Sequence, residues 1–427
     1  MAKLNVVPEL VAVLAYTAMG LLLVWRLGFF RRFGLPVRLI LVAFLARVFA
    51  GVLSHVIHLM WYGGDAFDYW HASLYVYNLL HEGQAGMYLR MVFEPNVVPP
   101  PADIKIHAYN VDYWSDNGAY LLVRFHSLIR LIGWKTMAAH IVIYNFLCLI
   151  GLLYLFRSLS QLLPHAKMFL VLVLFFYPTQ LFWTSLMLKE GAALAAMGLL
   201  LDQVLRPWNR ISLRQLPPVM LGTALLLLLR NFWLAALLPV WTAWQWVEKK
   251  PGRALTKYLM VMVGFLLLFA GASQWFTGQS LPQILSSKQA EFLALKAESR
   301  LAVVPHLEGR WLDLLTQMPL ALWNSVLQPI PHAEVKPFYL LAFADHVLVL
   351  GCFLFMLYYG IRSGGGQFNL FWFSFFFSFI LLLLIGYTVP IAGAIVRYKV
   401  VTSVFLLVAA ASFIPADQQA KGAQPDA

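Results

Sequence analysis

Charge and cysteine are scarce in this chain of 427 residues. Charged residues make up 12% of it and hydrophobic residues 61%. A soluble core of this length would interrupt its apolar runs with polar periodicity, because half of each helix meets water. The two cysteines, Cys148 and Cys352, both lie in apolar runs, which argues against a disulfide framework or a zinc site. Also missing are a glycine-rich nucleotide loop, an H-E-x-x-H helix and a G-x-S-x-G elbow. ATPase, zincin and hydrolase chemistry therefore lack support. No small-residue cleavage site follows the first apolar run, which is flanked by Lys3 and by Arg26, Arg31 and Arg32. It is expected to be a retained helix. The chain shows no convincing internal repeat.

What is present is a series of apolar runs at 9–25, 39–61, 137–156, 168–188, 191–205, 258–276, 339–360, 367–388 and 400–414. Most approach the roughly 20 residues that span hydrocarbon, so the fold class is an all-α, polytopic integral membrane protein. Cations gather between alternate runs: Arg26, Arg31, Arg32 and Arg38; Arg157 and Lys167; Arg206, Arg210 and Arg214; Lys249, Lys250, Arg253 and Lys257; then Arg362. The positive-inside rule makes that face cytoplasmic. The assignment needs two close-packed segments at 216–230 and 232–247, giving about 11 spans. The N-terminus then lies outside. One membrane-embedded domain, 1–414, is expected, with 415–427 as a cytoplasmic tail. The net charge of +12 is explained by orientation and anionic lipid contact. No soluble basic domain is present to bind nucleic acid.

The loops at 62–136 and 277–338 fall on the extracytoplasmic side. In the first, Leu121, Leu122, Phe125, Leu128, Ile129 and Ile132 form a helical stripe, with Arg124, Ser127 and Arg130 turned away. That pattern predicts a helix lying in the interface plane. Between it and the preceding span, Pro95 to Asp112 reads as an irregular loop. In the second, residues 281–300, with Lys288, Glu291, Lys296 and Glu298, predict another partly amphipathic helix. Pro329, Pro331 and Pro337 end helical structure before the next span.

Chemistry concentrates on the same face. Gly63-Gly64-Asp65-Ala66-Phe67-Asp68-Tyr69-Trp70 follows the second run directly. Asp65 and Asp68, three apart, would project from one side of a helix and could activate an acceptor hydroxyl or hold a divalent cation. The bland reading is an N-cap at Asp65 with a second acid in the first turn. Lys189, Arg230, Arg397 and Lys399 occupy short connections or helix ends on the side that should be poor in cations. Lys189 and Glu190 could neutralise each other, and Arg397 and Lys399 could snorkel to lipid phosphates. Together the four could instead clamp an anionic group, because arginine and lysine retain phosphate oxygens at a membrane surface. A polyprenyl-phosphate lipid is the phosphate expected there. His55 and His58 could bind metal, although packing is the expected use, and Asp345-His346 is open between the two.

Gly64-Asp65-x-x-x-Tyr69, the Tyr177-Pro178…Phe182-Trp183-Thr184-Ser185…Lys189-Glu190 segment and Gly393…Arg397-Tyr398-Lys399 together resemble bacterial polytopic glycosyltransferases of the type C fold. This is the broad group of protein mannosyltransferases and lipid-linked sugar transferases. The resemblance implies a sugar donor on a polyprenyl-phosphate carrier and an extracytoplasmic acceptor that is a glycan, lipid or protein, all at the bacterial inner membrane. It implies that Asp65, with Asp68 second, serves the acceptor or a metal such as Mg or Mn, and that cations hold the carrier phosphate. Tyr69, Glu190 and Tyr398 fall in supporting places. The family usually carries its acidic loop after the first span, whereas Asp65 follows the second. That leaves room for an extra N-terminal span or a related branch, such as polysaccharide polymerases and O-antigen ligases using undecaprenyl-pyrophosphate glycans. A non-enzymatic transporter of lipid-linked glycans is the alternative of a different class.

Overall fold

The computed structural model describes residues 6–111, 113–133, 136–206, 216–295, 299, 301, 303–330, 337–363 and 366–414. Among them the regular elements are all helices, with no strand. Helices α1 (Val6–Arg26) and α2 (Val37–Ile57) are followed by α3 (Asp65–His81), α4 (Ala85–Phe93), α5 (Lys105–Tyr109) and α6 (Asn117–Ile129). Then come α7 (Met137–Leu162), α8 (Lys167–Val171), α9 (Pro178–Ser185), α10 (Lys189–Val204) and α11 (Leu216–Lys249). The remainder is α12 (Ala254–Thr277), α13 (Leu281–Ala294), α14 (Trp311–Thr316), α15 (Met318–Leu327), α16 (Pro337–Ser363), α17 (Phe368–Thr388), α18 (Ala392–Tyr398) and α19 (Val400–Ala411).

Seven helices among the described residues are long and apolar enough to cross a membrane, or up to nine if each of two bent pairs is one span. Their exposed faces are apolar: Leu266, Leu267 and Leu268 on α12 and Leu348, Leu354 and Phe355 on α16 all lie open. Water would not favour such surfaces, but lipid does. The chain is a multi-pass membrane protein.

The sequence-based count of eleven took 191–205 as a span and 216–230 and 232–247 as two. In the structure the former is the 16-residue α10, and the latter two are one 34-residue element interrupted at Arg230. The run 168–188 is also not continuous. A wide turn at Leu172–Phe176 and Pro178, which has no N–H to give, separate α8 from α9. Residues 186–188 are then non-helical. The predicted helix 281–300 ends at Ala294, with a Ser280–Gln283 capping box at its start and Lys288 paired to Glu291. Lys296, Glu298, Pro331 and the 415–427 tail lie outside the described residues, as do Arg210, Arg214 and Asp112.

The chain divides into two compact units. Unit 1 is Met1–Arg157, Phe175–Gln203 and Ser212–Leu234; unit 2 is Ser158–Leu174, Val204–Ile211 and Ala235–Ala427. Within unit 1, α7 and α10 cross where both carry glycine. A Cβ on Gly198 would stand 2.0 Å from the Gly151 carbonyl oxygen, so no larger residue fits without moving a backbone. Small residues at such crossings let membrane helices approach closely. Within unit 2, α17 is apolar all round and buries Phe371, Phe373, Phe376 and Phe377, with the Phe377 ring 4.8 Å from that of Phe405 on α19. The second large loop is tied to α17 by polar side chains on main-chain carbonyls. Buried Gln289 donates to Pro305 O at 2.8 Å and to Tyr387 O at 2.7 Å.

Candidate functional site

The acidic cluster sits at a helix exit in unit 1. After α2 the chain makes a wide turn at His58–Tyr62 and passes through Gly63 and Gly64 at φ of 61° and 111°. Side-chain-bearing residues rarely adopt these angles, so the two glycines are what the corner needs. Gly64 is the N-cap of α3, and no side chain caps it. Asp65 is therefore the first helical residue and not the expected N-cap. Together with Asp68 it places carboxylates in the first turn, where the helix dipole favours them. Asp65 is half-buried and Asp68 exposed. Tyr113 donates its hydroxyl to Asp68 Oδ2 at 3.1 Å, and its ring meets buried Tyr69 edge-on at 4.9 Å.

His55 and His58 pack, as anticipated. His55 stacks on Phe67, while His58 lies against Phe182 and Trp183 with its Nδ1 2.8 Å from Ser54 O.

Lys189 and Glu190 do not neutralise each other. Successive residues on a helix point about 100° apart, and these two diverge to separate partners at the start of α10. Lys189 Nζ donates to Asp116 Oδ2 at 2.8 Å. Glu190, buried, pairs with buried Arg230. Arg230 stands where α11 leaves helical geometry, at φ −152° and ψ 65°. Two crossed ion pairs thus meet at one helix end.

Asp116 was not singled out in the sequence. It is the N-cap of α6, its Oδ1 accepting from the Gly118 and Ala119 amides at 2.9 Å each. An Asp before Asn-Gly-Ala at the head of an apolar periodic run is the signal that would have found it. Burial alone would raise its carboxyl, but the Lys189 ammonium and the two amides outweigh that and hold it below the usual carboxylate range. A depressed folded value means the contact contributes its stability above about pH 4 and loses it as pH falls through the folded value. The melting temperature is accordingly expected to fall on acidification below about pH 4, and Asp116→Asn to flatten part of that limb. Identical acid limbs in the two proteins would contradict this. The side chain is half-exposed, so the effect is screened.

The predicted stripe of α6 is split: Leu122 and Ile129 are buried, while Leu128 and, past the helix end, Ile132 are exposed, and Ser127 and Arg130, which were expected to turn away from the stripe, are buried. Arg130 donates to Ser73 Oγ at 2.9 Å and to Trp70 O at 2.6 Å, and its guanidinium lies 4.3 Å over the Trp70 ring. Burial, then the nearby His140 and Arg130, push the His126 imidazole well below its ordinary value, so it is neutral.

In unit 2 the late cations flank a bend of 44° between α18 and α19. Lys399 is buried and donates to Gln328 O at 2.6 Å, with Asp345 acting on it electrostatically. Arg397 is half-buried, its guanidinium 5.2 Å over the Tyr398 ring. Tyr398 in turn meets Phe292 edge-on at 6.4 Å. Lys399 thus holds the second large loop to the last bent helix rather than snorkelling outward.

Of the nine residues expected at a site, unit 1 carries Asp65, Asp68, Tyr69, Lys189, Glu190 and Arg230, and unit 2 carries Arg397, Tyr398 and Lys399. No three His, Cys, Asp or Glu side chains gather as metal ligands among the described residues. Asp65 and Asp68 do not by themselves make a protein-only cage, and no step is derived through a metal. No protein-family model, curated protein or solved structure matches this chain.

Proposed function

We propose that this protein is a membrane glycosyltransferase that moves a sugar from a polyprenyl-phosphate carrier to an extracytoplasmic acceptor. The proposal includes the type C architecture, the bacterial inner membrane and an active face on the side of loops 62–136 and 277–338. One observation carries it. The short turn 113–116 bonds Asp68 through Tyr113 and Lys189 through Asp116, which ties the helix exit that begins at Asp65 to one of the candidate cations within unit 1. A base beside a phosphate-binding cation is what glycosyl transfer from a lipid phosphate requires.

In the reaction, Asp65 takes the proton of the acceptor hydroxyl as that oxygen bonds to the anomeric carbon. The bond from that carbon to the carrier phosphate breaks, and the phosphate leaves with the electron pair. Cations stabilise the charge that develops on it. Lys189 and Arg230 are the candidates in unit 1, and Arg397 and Lys399 those in unit 2. The donor is already activated by its phosphate, so no nucleotide is consumed, in keeping with the absent nucleotide motifs.

Reconstitution in vesicles with a polyprenyl-phosphate sugar tests the reading. Formation of a new glycosidic bond supports it. Movement of the labelled lipid across the bilayer with the donor intact supports a transporter instead.

A further inference from the structure

Arg47 is the middle residue of α2, a candidate span, and is fully buried. Among the described residues it has no carboxylate partner. At about 1.5 Å per residue it lies roughly 15 Å from either end of its helix, a costly place for a guanidinium.

Its two terminal nitrogens both reach Thr184: Nη2 donates to the carbonyl oxygen at 2.8 Å and Nη1 to Oγ1 at 3.2 Å. Thr184 is the penultimate residue of α9, just before the non-helical stretch 186–188 that leads into Lys189 and Glu190.

A helix that stops inside hydrocarbon leaves carbonyls without partners, and each must be satisfied by protein. Here three of the carbonyls around the break take side-chain donors. Thr184 O takes Arg47, Ser185 O takes Asn145 Nδ2 at 2.8 Å, and Leu188 O takes the Tyr144 hydroxyl. The Leu188 amide turns back onto Leu186 O.

The fit is close on both sides. A Cβ on Gly51, one turn beyond Arg47, would come within 2.9 Å of Ser185 O, and one on Gly191 within 2.2 Å of Thr184 O. Asn145 and Tyr144 supply neutral single bonds. Arg47 alone supplies a charged two-pronged grip, which holds the direction of Thr184 as well as its distance.

We infer that Arg47 is a positioning residue: it fixes the α9–α10 break and, through it, the place where Lys189 and Glu190 leave the helix end to meet Asp116 and Arg230. The activity readout below rests on the transferase reading; the structural readout does not.

The test uses the full chain in lipid nanodiscs as Arg47→Met and Arg47→Lys. Amide hydrogen exchange over 184–190 is expected to speed up by roughly tenfold or more in Arg47→Met, from loss of hydrogen bonds to a charged donor. Protection elsewhere in α2 and α7 should hold, and Arg47→Lys should recover part of the loss. In the transfer assay kcat should fall with KM little changed, as expected for misplacement of groups that act in the transition state.

Exchange at the break no faster than in the parent protein overturns the inference, whatever the transfer rate does. Loosening spread evenly over α2, α7 and α10 overturns it too. Should Arg47→Met fail to accumulate, Thr184→Ala, which removes the Oγ1 acceptor of Arg47 together with the bonds of that hydroxyl to Gln180, is read by the same two outcomes. A break that responds as stated in a protein that transfers no sugar sinks the transferase reading and leaves the positioning role standing.

Discussion

Asp65→Asn is expected to reduce sugar transfer by at least about a hundredfold, the usual contribution of a positioned general base, while the protein accumulates normally. The substitution is close to isosteric and removes the one property the mechanism needs, a carboxylate able to take a proton. The corner before α3 is made by Gly63 and Gly64, and Gly64 is the N-cap, so no cap is lost. Loss of the favourable charge in the first turn costs about 0.3–1 kcal/mol. Asp68→Asn should do less to the rate, because its Oδ2 already accepts from Tyr113. Product formed at the parental rate by Asp65→Asn, at equal membrane abundance, would remove Asp65 from the mechanism.

The largest stability effect is expected at Glu190 and Arg230. Both are buried, and each is the other's counter-charge. Arg230→Met removes the buried counter-charge of Glu190, and Glu190→Gln that of Arg230. Either single change should destabilise by about 3–5 kcal/mol, and the double change should recover most of the loss. Thermal unfolding in a fixed detergent compares the three directly. Additive losses in the double variant would contradict the pairing. Lys189→Met offers a contrast. Its partner Asp116 is half-exposed, and a pair of that kind is worth about 0–1 kcal/mol.

Much of the frame was legible in the sequence. Run length and the scarcity of charge gave the helical membrane class. The Arg230-Asn231 connection fell on the residue where α11 departs from helical geometry.

The misses have physical reasons. The burial of Ser127 and Arg130 was missed because the α6 stripe was read only as one face of a helix lying in the interface plane. With apolar surroundings Leu128 and Ile132 can face outward, and Arg130 turns inward to the Trp70 carbonyl. Self-neutralisation of Lys189 and Glu190 was one of two readings left open because they are adjacent, although helix geometry points neighbours apart. Their true partners, 73 and 40 residues away, leave no trace in local spacing. Arg47 was hidden by the run that contains it. A lone cation at mid-span is itself a signal, because it must find acceptors among neighbouring helices.

The central claim is that the helix exit at Asp65, together with Lys189, receives the phosphate of a lipid-linked sugar. An experimental structure of the full chain with a bound polyprenyl-phosphate sugar tests it most directly. The phosphate is predicted to lie about 3 Å from Lys189 Nζ, at charge-assisted hydrogen-bond distance, with Asp65 on the side of the sugar. A phosphate bound away from both residues would contradict the account.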